Sequence, residues 1–223
     1  MSGGQDASAH DLARGYVDAD EDREKKRGYL RFLPASGTVL DLGCGTGAFL
    51  DLLRDAGWTA RGVDASPAAV AACRARGHAV DCADLAAAVA RLHADSARFS
   101  AVVLVHVVEH FDGPRALALL AAAATLLAPS GVLLIVTPDP RSAIVLEETF
   151  WLDPTHVRPY PRALLERALR AAGLTVVASL RDPASRPRRS AFRTLLARLR
   201  SALSGVDRSG PMDAIVVARR EPQ

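Results

Sequence analysis

The stretch "LVHVVEHF" (residues 104–111) sets His106, Glu109 and His110 directly after an apolar run, and two of the chain's six histidines fall here. Their spacing is i, i+3 and i+4, so a helical turn would bring all three to one face. Two imidazoles and a carboxylate can take a proton from a reacting group. The same set can ligate a divalent metal. A fourth group of this kind is His156, in "FWLDPTHVRPY" (150–160). A lone histidine at a strand end is more often a hydrogen-bonded structural residue. The paired Glu109–His110 is what favours chemistry.

A second constellation is "VLDLGCGTG" (39–47), in which Asp41 is followed by Gly43, Gly45 and Gly47. Glycines between a strand and a helix let the backbone approach a ligand closely. A dinucleotide fingerprint reads G-x-G-x-x-G; here Ala48 stands where its last glycine belongs, which weakens a pyrophosphate reading. Asp64 in "GVDAS" and Asp84 in "DCADL" follow two further short strands. A carboxylate at the first position can accept both hydroxyls of a ribose. One at the second can accept from an adenine amine. Each aspartate alone reads as a cap or strand-end residue; three at successive strand ends beside a glycine loop read as a nucleoside site.

These groups need elements to hold them. "TVLDL", "WTARGVD", "HAVDC", "FSAVVLVHVV", "GVLLIVTP", "LTVVASL" and "MDAIVVARR" read as seven strands. Helices are expected over 20–32, 46–57, 66–77, 85–94, 112–131 and 161–173. Strands alternating with helices predict an α/β, Rossmann-like three-layer sandwich with a mostly parallel sheet. The last two strands lack a regular crossover helix, so the final strand is expected to be antiparallel. Residues 1–34 are expected to form an N-terminal cap, with Tyr16 in it, and 35–223 the main domain, carrying a basic insert at 182–211.

Composition narrows the classes. Of 223 residues, 49% are hydrophobic and 24% charged, the profile of a globular chain with a real core. No apolar run nears the roughly 20 residues that span a bilayer, and the N-terminus has no signal-peptide core, so a cytoplasmic location is expected. Three cysteines without framework spacing suit a reducing compartment. A net charge of +3 is too mild to indicate nucleic acid. Arginine is concentrated at 186, 188, 189, 193, 198, 200 and 208, with Phe192, Leu195, Leu196, Leu199 and Leu203 at helical spacing. That pattern fits a helix packing its apolar stripe on the domain or on a second copy in a homodimer. A basic amphipathic helix in peripheral contact with a membrane is the rival. Near the site, Phe150 and Trp151 are placed to line an acceptor pocket, and Arg141 and Arg158 to hold an anionic acceptor.

The glycine segment, "GVDAS" and "CADL" resemble the first three motifs of the class I S-adenosylmethionine-dependent methyltransferases, over about residues 38–180. The resemblance implies a seven-stranded sheet with an antiparallel last strand. It implies cofactor contacts at Asp41, Gly43, Cys44, Gly45, Asp64, Ala65, Asp84, Leu85, Val105 and His106. The Glu-His pair and the Asp-Pro-Thr-His-Val-Arg-Pro block are similar to methyltransferases of glycan, O-antigen and natural-product pathways. Small-RNA 3′-end and quinol O-methyltransferases carry E-x-x-E-H at the same place, and in the RNA enzymes that set, with a later histidine, holds a metal. Here His106 replaces the first glutamate. By this likeness the expected activity is O-methylation of a sugar, glycan or glycosylated natural product. His110, His156 and Glu109 would be catalytic. His106, Glu109, His110 and His156 would form the set for Mg²⁺ or another divalent ion. A quinol or phenol O-methyltransferase and a non-catalytic cofactor-binding subunit are the alternatives, and the expected partner is a small-molecule or glycan acceptor, not nucleic acid.

Overall fold

The computed structural model describes residues 19–186 and 191–222. Tyr16 and the arginines at 188 and 189 lie outside the described residues.

One seven-stranded sheet runs in the order β3-β2-β1-β4-β5-β7-β6. Its strands are β1 (Thr38–Leu42), β2 (Thr59–Asp64), β3 (Ala79–Cys82), β4 (Phe99–Val105), β5 (Leu127–Pro138), β6 (Thr175–Arg181) and β7 (Asp213–Arg219). β1 to β5 pair in parallel. β7 is antiparallel to both β5 and β6. The order reverses between β1 and β4, the switch point at which open α/β sheets bind ligands.

The helices are α1 (Ala19–Arg27), α2 (Ala48–Asp55), α3 (Pro67–Ala75), α4 (Leu85–Ala94), α5 (Gly113–Thr125), α6 (Ala143–Glu147), α7 (Arg162–Ala171) and α8 (Ala191–Ser204). Side chains alternate along the central strands, so each strand feeds two cores. Val102, Leu104, Leu133 and Ile135 join α4, α5 and α7 on one face. Ala101, Val103, Val132 and Leu134 join α2 and α3, with Tyr29, on the other. Side-chain caps start three helices: Ser66 Oγ accepts from Ala69 N, Asp84 from Ala87 N and Asp112 from Arg115 N.

Three readings of the sequence change. The expected helix over 20–32 gives way after Arg27 to a 3-10 turn, Gly28–Phe32, that buries Tyr29. α5 ends at Thr125, short of the stop expected from Pro129 and Gly131, because Leu127 already pairs with Phe99. The register then shifts, with Val132 opposite Ala101. Ser130 sits at φ +61°, a bulge on the edge away from the site. Between β5 and α7, where no element was read, lie α6 and a 3-10 turn, Thr149–Leu152.

Candidate active site

The carboxyl ends of β1, β2, β4 and β5 meet at one rim. After β1 the amides of Gly43 and Cys44 both donate to Val63 O, at 2.8 and 3.1 Å. This turn needs left-handed backbone, and Gly43 (φ +76°), Gly45 (+53°) and Gly47 (+82°) supply it. A Cβ on Gly43 would stand 2.6 Å from Val107 Cγ2, so the loop lies flush against the segment after β4. A Cβ on Gly45 would meet nothing within 4 Å. That glycine faces open space, as a cradle for a ligand requires.

Asp64 ends β2 and closes the loop. Its Oδ2 accepts from Gly45 N at 2.7 Å and its Oδ1 from Ser66 N at 2.9 Å. Each oxygen keeps a further lone pair for a hydroxyl. Asp84 uses Oδ1 to cap α4. Asp41 is almost fully buried. Burial raises its pKa to about 7, with a smaller push from the Asp64 carboxylate and an opposing pull from Lys26. Burial also pushes the Cys44 thiol far up, which leaves it a packing group and no nucleophile. A groove of about 660 Å³ between α4 and α5 opens beside Asp84 and Phe111, but it runs away from the sheet edge toward Thr125.

After β4, His106 is left-handed, at φ +55°. The 3-10 turn begins only at Val108 and holds Glu109 and His110. His106 therefore does not share a helical face with His110, as the spacing alone would suggest. Its Nδ1 lies 3.1 Å from Glu109 Oε1, and its Nε2 points to Asp213 Oδ2 at 3.6 Å. Asp213 in turn pairs with Lys25 Nζ at 3.0 Å. Burial pulls the His106 pKa down, but Asp213 and Glu109 outweigh it and carry it to about 9. Burial works against the Asp213 carboxylate too; His106 and Lys25 overcome it and hold its pKa below the usual range. Glu109 is fully buried, and Thr137 Oγ1 donates to its Oε2 at 3.0 Å.

The backbone carbonyl of Glu109 accepts from Val157 N (2.8 Å) and Arg158 N (3.3 Å). That clamp carries His156 to the rim. One oxygen of Glu109 and one ring nitrogen each of His110 and His156 lie within 4.8 Å of one another. Both rings are fixed through Nδ1. His156 Nδ1 is 2.7 Å from Phe150 O, which can only accept. His110 Nδ1 is 2.8 Å from Thr155 Oγ1, whose proton goes to Asp153 Oδ1 at 2.5 Å. In the neutral form of each ring Nδ1 is therefore the protonated nitrogen and Nε2 carries the lone pair; His156 Nε2 lies 3.8 Å from Asp153 Oδ2. Burial lowers the His110 pKa, against a smaller opposing pull from Glu109.

Among the four groups singled out from sequence, Glu109, His110 and His156 converge, and His106 turns to Asp213. Val105 and His106 border the rim beside the glycine loop. Ala65 and Leu85 follow Asp64 and Asp84. The residues missed are Lys25, Thr137, Asp153, Thr155 and Asp213. "DPTH" carried two of them in plain view; nothing local marked the other three.

A sequence profile described as "Methyltransferase domain" matches residues 17–179. The chain belongs to this family. Its fold is shared with a SAM-dependent methyltransferase from Archaeoglobus fulgidus, 23% identical, with a TM-score of 0.71 over 91% of this chain and 95% of that one. The methyltransferase in a complex with the Haloferax volcanii Trm112 activator is 20% identical, with a TM-score of 0.70 over 98% of each chain. Magnesium protoporphyrin IX methyltransferase from Synechocystis PCC 6803, with bound SAM, is 16% identical, with a TM-score of 0.58 over 99% of this chain and 87% of that one. Among curated proteins none matches by sequence.

Proposed function

We propose that this methyltransferase moves a methyl group from S-adenosylmethionine to a hydroxyl of a sugar, glycan or glycosylated natural product. The donor supplies a methyl carbon activated on a sulfonium. Asp41 and the Gly43–Gly45 backbone, with Cys44, would hold its methionine end. Asp64 and Ala65 would take the ribose, and Asp84 and Leu85 the adenine, with Val105 and His106 walling the cleft. Residues 19–34, the described part of the expected N-terminal cap, would close over it: Lys25 and Tyr29 tie this part to the rim, through Asp213 and Asp182.

The observation that carries the acceptor reading is that His110 and His156 are both anchored through Nδ1, which leaves Nε2 as the accepting nitrogen of each neutral ring. A hydroxyl must shed its proton as it takes the methyl group, and a base with a free lone pair at the rim accepts it. His110, with a depressed pKa, is neutral at pH 7 and able to accept. Glu109 stands beside both rings and favours the imidazolium that forms.

The same geometry favours a second reading. Histidines that donate Nδ1–H to an oxygen and keep Nε2 free are typical metal ligands. Glu109, His110 and His156 would hold Mg²⁺ or another divalent ion, which would polarise the acceptor oxygen. His106 would stand outside that set as a support for Glu109.

The test is a screen of sugar and phenol acceptors with isotope-labelled donor, with and without a chelator. Labelled sugar formed regardless of chelator supports the base reading, and loss on chelation with recovery on Mg²⁺ supports the metal. Preference for phenols favours the quinol-type alternative. Tight donor binding without any acceptor turning over would leave a cofactor-binding subunit.

A further inference from the structure

Helix α8 is turned the unexpected way. Its apolar residues form one stripe, Phe192, Leu195, Leu196, Leu199 and Leu203, at i, i+3, i+4, i+7 and i+11. These side chains are 69, 56, 40, 52 and 88% exposed. Inward lies the small-residue face: Ala197 is buried and Thr194 and Ser201 are half-buried. A helix that served only to complete the core would bury the leucines and expose the alanine and serine. The expected packing of this stripe on the domain does not occur.

The place of the helix is also specific. β6 ends at Arg181, and β7 begins at Asp213 opposite Pro138, the last residue of β5. The insert between them therefore stands on the carboxyl rim that holds Glu109, His110 and His156. Its stem is tied there: Arg181 pairs with Asp207, and Arg208 makes a two-pronged pair with Glu147 on α6. Trp151 and Leu152, on the turn that follows α6, are exposed apolar residues on the same edge, 61 and 43% exposed.

Charge selects the occupant. Between Pro183 and Val206 there are six arginines and no acid. Arg198 and Arg200 are exposed and lie to either side of the stripe. Two copies meeting through this face would oppose like charges across a two-fold axis. An anionic lipid surface pairs with the arginines and takes the leucines into its interfacial layer. No helix of the described residues is long and apolar enough to cross a membrane, so α8 would lie on the bilayer.

We infer that α8 is a docking surface for an anionic membrane, which sets the acceptor rim against the bilayer. The consequence, that the acceptor is presented at a membrane surface, rests on the methyl-transfer reading above; the docking itself does not.

The test is co-sedimentation of the full chain with vesicles of phosphatidylcholine alone and of phosphatidylcholine with phosphatidylglycerol. Binding is expected only to the anionic vesicles and is expected to weaken as salt rises. Leu195→Glu/Leu199→Glu should weaken it about tenfold or more with an unchanged melting temperature, because these side chains are already in water. Arg198→Glu/Arg200→Glu should do the same without touching the stripe. Absence of binding to anionic vesicles, or binding that neither variant weakens, overturns the inference. So does a dimer on gel filtration that Leu195→Glu/Leu199→Glu converts to monomer while wild type ignores vesicles. No donor or acceptor is present, so failure here leaves the methyl-transfer reading standing.

Discussion

His110 and His156 come from opposite sides of β5 in sequence, yet their ring centroids stand 4.8 Å apart. Each is held at Nδ1 by a group supplied from the 150–155 segment. If Nε2 of either is the base, alanine at that position should lower turnover about 10²- to 10⁴-fold. The affinity for S-adenosylmethionine should not move, because neither ring lies in the glycine-loop cradle. Calorimetry beside single-turnover rates separates the two effects; a variant that loses donor affinity first would contradict the assignment.

Thr155 gives a finer test of the same pair. Its hydroxyl links His110 Nδ1 to Asp153. Thr155→Val keeps the shape and removes the nearer of two acceptors at Nδ1, leaving the Thr155 backbone carbonyl at 3.3 Å. The Nδ1-protonated tautomer is then held less firmly, and the imidazole more often takes the other, with Nε2 protonated and unable to accept. Turnover should fall about tenfold or more, while Thr155→Ser should retain most of it. Equal loss in both variants would mean that packing, not the proton position, is what matters.

Asp41 predicts a pH dependence. Its pKa rises from the ordinary carboxylate value to about 7 through burial. If it meets the donor's ammonium group, the complex needs it ionised, whereas below pH 7 the free protein holds it protonated. Binding then releases a proton, and affinity should fall about tenfold for each pH unit below 7 and level off above. Calorimetry at pH 6 in buffers of different ionisation heat would show the released proton. The sign for folding is opposite to that of a paired carboxylate: the native state binds the proton more tightly, so Asp41 costs stability as pH rises from about 4 to 7. Asp41→Asn should remove both dependences.

Much of this was legible in the sequence because it is local. The strand–glycine–helix segment at 39–47, the caps at Ser66, Asp84 and Asp112, and the buried run of β4 each carry their structure in neighbouring residues. What was not legible depends on distant parts. The spacing of His106 and His110 suits a helix, but the amide of His106 donates to Val136 O in β5, and its left-handed backbone points the ring at Asp213. The pairing of Leu127 with Phe99 likewise ended α5 before Pro129 could. The stripe on α8 was readable; the side it would face was not, since an amphipathic pattern gives a direction relative to the helix alone.

The chain Lys25–Asp213–His106–Glu109 crosses from the N-terminal helix to the rim. Asp213 and Glu109 are buried and Lys25 and His106 half-buried, so removing one charge leaves the others poorly compensated. Asp213→Asn should therefore destabilise the fold by about 3 kcal/mol in urea unfolding. Lys25→Met combined with Asp213→Asn should cost less than the sum of the single changes, because the lysine no longer stands beside a missing partner. Strict additivity would show that the two do not interact in solution.

Gly43 offers the sharpest steric test. At φ +76° any side chain is strained by about 1 kcal/mol or more. A Cβ would also press to 2.6 Å from Val107 Cγ2. Gly43→Ala should lose donor binding and lower the melting temperature, because the loop must back away from the segment after β4. Val107→Ala removes the colliding methyl but not the backbone strain, so Gly43→Ala/Val107→Ala should recover part of the donor affinity of Gly43→Ala. Full loss in the double variant would mean that the torsion alone sets the loop. Full recovery would mean that the contact alone does. An intermediate value is expected because the geometry carries both costs.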